Sequence, residues 1–272
     1  MISVLMSVYV KDHPGHFQEA LSSLLSQTEL PNQVVLVCDG VLNDELDNVI
    51  EEYSYKFSSH HVEFIVERLK INQGLGLALK HGSHFCNQEY ILRMDSDDIS
   101  RRDRVEVSKR FINDNPDIDV FGTGIEEFEY HPGDLNRYRM VPKTNAGIYS
   151  YGKKRNPMNH VSVCMKKASL FSVGNYESVI YHEDYYLWVK LLVNNFKLAN
   201  INECLVDVRV GNDLIGRRKG LAYLKLEFEF VNRCRDLGYF NVLDAIYYLI
   251  PRVFIRLLPD TLLNSVYKKL RD

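Results

Sequence analysis

Four short apolar runs occupy the first hundred residues, and each is separated from the next by a segment of helical periodicity. The runs cover residues 2–10, 34–37 and 62–66 and the stretch that begins at Tyr90. Between them come Phe17, Ala20, Leu21, Leu24 and Leu25, then Leu46, Val49, Ile50 and Tyr53, then residues 77–85, all at the i, i+3, i+4 spacing of a helix with one apolar face. Short continuous apolar runs bounded by turn residues read as buried strands. Strands alternating with helices predict an α/β fold, a mostly parallel sheet flanked by helices on both faces. Such sheets bind ligands beyond the carboxyl ends of their strands. The four segments expected there are Tyr9 and its neighbours, Asp39-Gly40, the loop after Glu67, and Asp95 to Asp98.

The last of these is the most acidic. Tyr90-Ile91-Leu92-Arg93-Met94 runs directly into Asp95-Ser96-Asp97-Asp98, three carboxylates within four positions. Charges that close repel, and a hard divalent cation, Mn²⁺ or Mg²⁺, takes one or two carboxylates while keeping sites for phosphate oxygens. The alternative is an acidic turn that caps a helix starting near Arg101. Gly74-Leu75-Gly76 lacks the third glycine of a dinucleotide fingerprint and follows the third strand, not the first. No P-loop motif is present. An aromatic ring, a lone Asp, a glycine loop and a carboxylate cluster in one crevice suit a nucleotide carrying phosphates and a cation.

By Asp98 the chain resembles a family 2 glycosyltransferase of the GT-A fold, with the bacterial enzymes of O-antigen and exopolysaccharide assembly, amylovoran-type β-glycosyltransferases among them, nearest in pattern. The resemblance rests on an ordered set: Ser3-Val4-Leu5-Met6-Ser7-Val8-Tyr9, Leu24-Leu25-Ser26-Gln27-Thr28, Val37-Cys38-Asp39-Gly40, Asn72-Gln73-Gly74-Leu75-Gly76 and Met94-Asp95-Ser96-Asp97-Asp98. It implies an inverting, metal-dependent transfer of a hexose, glucose or galactose, from a UDP-sugar to a lipid-diphosphate-linked saccharide. Tyr9 would line the base pocket and Asp39 would accept from the uracil N–H. Asn72, Gly74 and Ser96 would contact the donor, Asp95 would hold the ribose or the metal, and Asp97 would hold the cation. Arg93 would touch a sugar or phosphate. Lys80 departs from the pattern, since relatives often carry Asn there.

In the second half, residues 101–113 read as a helix, 120–129 as a strand interrupted by Gly122-Thr123-Gly124, and 161–165 as a strand. The polar stretch before it, Arg155 to His160, offers Asn159 and His160 as donors to acceptor hydroxyls; local turn bonding is the alternative. Tyr181-His182-Glu183-Asp184 opens an apolar helix that carries Trp188. Acids in a first helical turn are favoured by the helix dipole alone. The resemblance makes Asp184 the catalytic base and Glu183 the residue that positions the acceptor. Arg209 and the run Gly216-Arg217-Arg218-Lys219 offer forked donors for a diphosphate, with Arg217 and Arg218 as substrate contacts.

These readings divide the chain into a catalytic domain over 1–238, with a nucleotide-binding half over 1–100 and an acceptor half over 101–238, and a helical tail over 239–272. In the tail Arg252 and Arg256 sit among apolar residues, and Pro251 and Pro259 should break it into short helices. Those pieces suit a membrane interface, with arginines at headgroup level. The competing expectation is packing on the catalytic domain or on a second copy in a homodimer. A net charge of −3 does not suggest nucleic acid as a partner. Five scattered cysteines and no apparent signal segment are expected of a cytoplasmic protein, peripheral at the inner membrane face. Two other functions share an acidic α/β site: a nucleotidyltransferase that makes the activated sugar, and a nucleotide-sugar-binding protein without catalysis. The first should carry a glycine-rich basic loop after strand one, where this chain has Tyr9-Val10-Lys11-Asp12-His13-Pro14.

Overall fold

A computed structural model describes residues 1–211 and 220–257. Its strands are β1 (Ile2–Val8), β2 (Gln33–Cys38), β3 (Glu63–Arg68), β4 (Tyr90–Arg93), β5 (Ile99–Ser100), β6 (Val120–Phe128), β7 (Arg137–Arg139), β8 (Cys164–Lys166) and β9 (Leu198–Arg209). Its helices are α1 (Pro14–Leu25), α2 (Asp44–Ser59), α3 (Leu75–Ser83), α4 (Arg104–Asp114), α5 (Asn145–Tyr151), α6 (Lys167–Ser172), α7 (Glu183–Val193), α8 (Gly220–Asp236) and α9 (Val242–Leu257).

The four expected strands lie parallel in the order β3-β2-β1-β4. Register pairs Val8 with Cys38 and Cys38 with Arg68, so the first three strands stop at one edge. Their side chains alternate between two cores. Leu5, Val35 and Val37 face α3 and α7, where Ala78, Leu79, Leu187 and Trp188 are buried. Val4, Met6, Val34 and Leu36 face α1 and α2, whose Phe17, Leu21, Leu24, Leu46 and Phe57 fill the other core.

Beyond β4 the sheet changes character and continues β8-β6-β9-β5, with β7 on β6. β8 is antiparallel to both β4 and β6, while β6 and β9 are parallel. The expected strand over 161–165 is a 3₁₀ turn at His160–Ser162 followed by β8. The expected helix start at Arg101 is displaced, because Arg101 N–H donates to Leu205 O and extends the β5–β9 contact. The glycine interruption in β6 is real: the β6–β9 register shifts on both sides of Gly124.

The tail corrects the sequence expectation twice. Pro251 does not break α9, which continues to Leu257. An interior proline costs about 3 kcal/mol, and packing offsets it: Ala245 and Tyr248 are buried in the same core as Trp188, along with Tyr239 and Phe240. Residues on both sides of Gly238, Phe230 and Cys234 before it and Tyr239 and Tyr248 after it, share that core. Arg252 and Arg256 do not reach outward; both lie against the buried Glu227 of α8. The outer face of α9 is nonetheless apolar, with Leu243, Ile246 and Ile250 exposed beside Tyr247 and Phe254, which are 73% and 70% exposed. Among the described residues, no helix is long and apolar enough to cross a membrane.

Candidate active site

A cavity of about 600 Å³ opens at the edge where the parallel strands end, a size typical of small-ligand sites. Residues after β1, β2, β3 and β4 all reach it: Tyr9 and Asp12, Asp39, Asn72 to Leu77, and Asp95 to Asp98. Glu183 and Arg209, from the second half of the chain, close it.

Its floor is built around Asp39. Oδ1 accepts from Gln73 N–H at 2.7 Å and Oδ2 from Gly74 N–H at 2.9 Å, while Asn72 Nδ2 donates to Asp39 O. Each carboxylate oxygen keeps a further lone-pair direction for a ligand N–H. Gly40, at φ +95°, is required here, because a Cβ would stand 2.9 Å from Asn72 N. The first residues of α3, Leu75 to Leu77, line the cavity, and a helix N-terminus is a natural place for anionic oxygens.

Asp95, Asp97 and Asp98 each offer a carboxylate oxygen within 4.8 Å of the others. Burial, with Asp95 and Asp12 nearby, pushes Asp97 up to about 6. Asp98 is raised well above the carboxylate range by burial and its two neighbours. It is 2% exposed; Oδ1 accepts from Arg209 N–H at 2.9 Å, and Oδ2 has no hydrogen-bond partner. Crowded anions with an orphaned buried oxygen fit a divalent cation, for which oxygen ligands of this kind are the preferred set. Asp12, which the sequence reading left without a role, extends the cluster. It accepts from Tyr9 N–H at 3.1 Å and Ser96 Oγ–H at 2.8 Å, and burial raises it to about 6. An acid four residues after the end of β1 was the only signal for it.

Arg93 is corrected. It does not line the cavity. It is 1% exposed and pairs with Asp95 from the interior, on the face shared by its register partner Leu5. Burial works against its charge and Asp95 outweighs that effect. Asn159 is corrected as well: it is buried, and Nδ2 donates to Thr123 O and Arg139 O, so its amide protons are spent on backbone. His160 faces Tyr176 Oη at 2.9 Å, not the cavity, and burial with Arg93 nearby pushes it well below its usual range. Asn159 thus satisfies carbonyls of β6 and β7 and ties them to the 3₁₀ turn, while His160 packs beneath against Tyr176.

The acid pair opens α7 as expected. Glu183 lines the cavity, and burial followed by Asp184 raises it above its ordinary value. Asp184 does not line the cavity; its Oδ2 accepts from Asn156 Nδ2 at 2.6 Å. Asn156 had been legible only as part of a polar loop. The two halves touch at Gly76, where a Cβ would be 3.0 Å from Glu183 Cβ and 3.3 Å from Glu177 O. Arg209 braces the cluster, with Nε donating to Asp97 O and the guanidinium paired to Glu19. Arg217 and Arg218 lie outside the described residues.

The family model described as glycosyl transferase family 2 matches residues 3–180. A UDP-Gal:alpha-D-GlcNAc-diphosphoundecaprenol beta-1,3-galactosyltransferase of Escherichia coli is 37% identical over 267 residues, 98% of this chain and 95% of that protein. The amylovoran biosynthesis glycosyltransferase AmsE of Erwinia amylovora is 30% identical over 99% of this chain and 98% of its own. Among solved structures, S. aureus TarS 1-349 in complex with UDP-GlcNAc superposes with a TM-score of 0.65 at 16% identity, covering 85% of this chain and 66% of that one. That likeness gives the fold, GT-A, and the sequence relatives give the family: the chain belongs to glycosyl transferase family 2.

Proposed function

We propose that the protein transfers a hexose, with inversion, from a UDP-sugar to a saccharide carried on a lipid diphosphate. The observation that carries this is one cavity lined both by the Asp95–Asp98 cluster and by Glu183. Tyr9 and Asp39 hold the uracil, and the Asn72–Gly74 turn, Ser96 and the start of α3 meet the ribose and phosphates. Asp95 and Asp97 would hold Mn²⁺ or Mg²⁺, which would supply positive charge against the departing diphosphate. Asp184, held by Asn156, takes the proton of the acceptor hydroxyl as its oxygen bonds to the sugar carbon and the bond to phosphate breaks. Glu183 orients the acceptor. The diphosphoundecaprenol acceptor named for the E. coli relative supports the lipid-diphosphate class and makes galactose the first donor to try.

The test is a panel of UDP-glucose, UDP-galactose and their N-acetyl forms against a synthetic lipid-diphosphate GlcNAc, with NMR of the product. A β product is expected, and an α product would overturn inversion. EDTA should stop turnover and Mn²⁺ or Mg²⁺ restore it. Undiminished turnover in EDTA would make the acidic cluster structural.

Such an acceptor resides in a bilayer, and we place the outer face of α9 against the cytoplasmic membrane surface. The exposed side chains from Leu243 to Phe254 would enter the interface, without the arginine anchors first expected. Replacing Tyr247 and Phe254 with Ser should lower co-sedimentation with anionic vesicles several-fold. Unchanged sedimentation, with a dimer seen by ultracentrifugation, would instead assign this face to a second copy.

A further inference from the structure

Glu227 lies on α8, away from the cavity, and is 1% exposed. Three basic side chains converge on it. His182 Nε2 is 3.4 Å and Arg252 Nε 3.2 Å from Oε2, and Arg256 Nη2 is 3.2 Å from Oε1. Burial disfavours the anion, yet His182, Arg252 and Arg256 outweigh it and hold the carboxyl at about 2. Buried ion clusters contribute little net stability compared with apolar packing, so what the cluster orients matters more than what it stabilises.

It orients the entry to α7. His182 is the residue before Glu183, and its ring stacks on Phe230 with centroids 4.7 Å apart. Its Nδ1 lies 3.2 Å from Ile180 O, its Nε2 sits 3.4 Å from Glu227 Oε2 as a close contact without hydrogen-bond geometry, and one ring face is covered. Tyr181, one residue earlier, has φ +64°, a left-handed conformation that tyrosine rarely adopts. Such a backbone persists only where its surroundings hold it. Tyr181 and His182 both lie against Tyr223 of α8, and Arg256 of α9 covers that ring at 4.6 Å. Two helices distant in sequence thus grip the two residues before the acid pair.

We infer that Glu227 is a positioning residue: through His182 it fixes the turn that presents Glu183 and Asp184, and the docking of α9 by Arg252 and Arg256 completes the grip. The catalytic half of this inference rests on the proposed roles of the acid pair, whereas the grip itself does not.

Glu227→Gln keeps the shape and removes the charge. In the full chain, kcat is expected to fall about tenfold, as for other outer-shell partners, with the KM for UDP-sugar and the affinity for UDP unchanged. Amide hydrogen exchange over residues 181–187 should rise while residues 33–38 stay protected. His182→Gln should show the same split, and the double variant should be no worse than either single one. His182→Gln carries the test alone if Glu227→Gln does not fold. Unchanged exchange over 181–187 overturns the inference whatever happens to kcat. Raised exchange with unchanged kcat overturns it too, without touching the reading of the acids, which their own variants decide.

Discussion

Asp97→Ala should lower transfer by about 10³-fold, the scale of removing one main electrostatic contact to the developing charge, while the folded protein becomes no less stable. The two effects have opposite causes. Asp97 sits with Asp95 and Asp98 in a cluster whose oxygens lie within 4.8 Å, and burial raises it to about 6. Its folded pKa is above the ordinary value, so its ionisation opposes folding as pH rises through about 6. Removing it relieves repulsion in the absence of a cation and removes a cation ligand. A melting temperature at pH 7.5 equal to or above that of the parent, with transfer lost, is the expected pair of results. In the parent, Mn²⁺ should raise the melting temperature, and in the variant that increment should shrink. Full activity in Asp97→Ala would remove its assigned role.

Asp184→Asn should lower kcat by about 10²- to 10⁴-fold, the range for loss of a general base, with UDP affinity unchanged. Asparagine has the same outline and can still meet Asn156, whose Nδ2 now donates to Asp184 Oδ2 at 2.6 Å. What it cannot do is accept the acceptor's proton. Glu183→Gln is the control. Glu183 lines the cavity and Asp184 does not. If Glu183→Gln silences transfer and Asp184→Asn leaves it intact, the roles are reversed and Glu183 is the base. Single-turnover measurements with the acceptor saturating separate this chemical step from acceptor binding.

The first hundred residues were legible because their signals are local. Each parallel strand is a short apolar run that ends in a turn, and alternation sends Val4 and Leu5 to different cores in the way a period of two requires. Family membership sets aside the nucleotidyltransferase alternative on the same residues. What escaped was decided by distant partners. Ile99–Ser100 is a strand only because β9 lies beside it. Asn159 looked like a ligand donor because nothing nearby in sequence reveals that Thr123 O and Arg139 O will take its protons. Arg93 was a substrate contact by resemblance alone; its charge stays in the core because Asp95, two residues on, pairs with it there. Pro251 looked like a break because local rules do not include the burial of Tyr248, three residues earlier, in the core.

The near-contact at position 76 limits how such enzymes can be recombined. With hydrogen as its side chain, that residue lets the first turn of α3 rest against Glu183 and the carbonyl of Glu177. A chimera that grafted a foreign segment 177–184 onto residues 1–100 would inherit a steric demand from the opposite side of the seam, and any graft that places bulk over that glycine would splay the join.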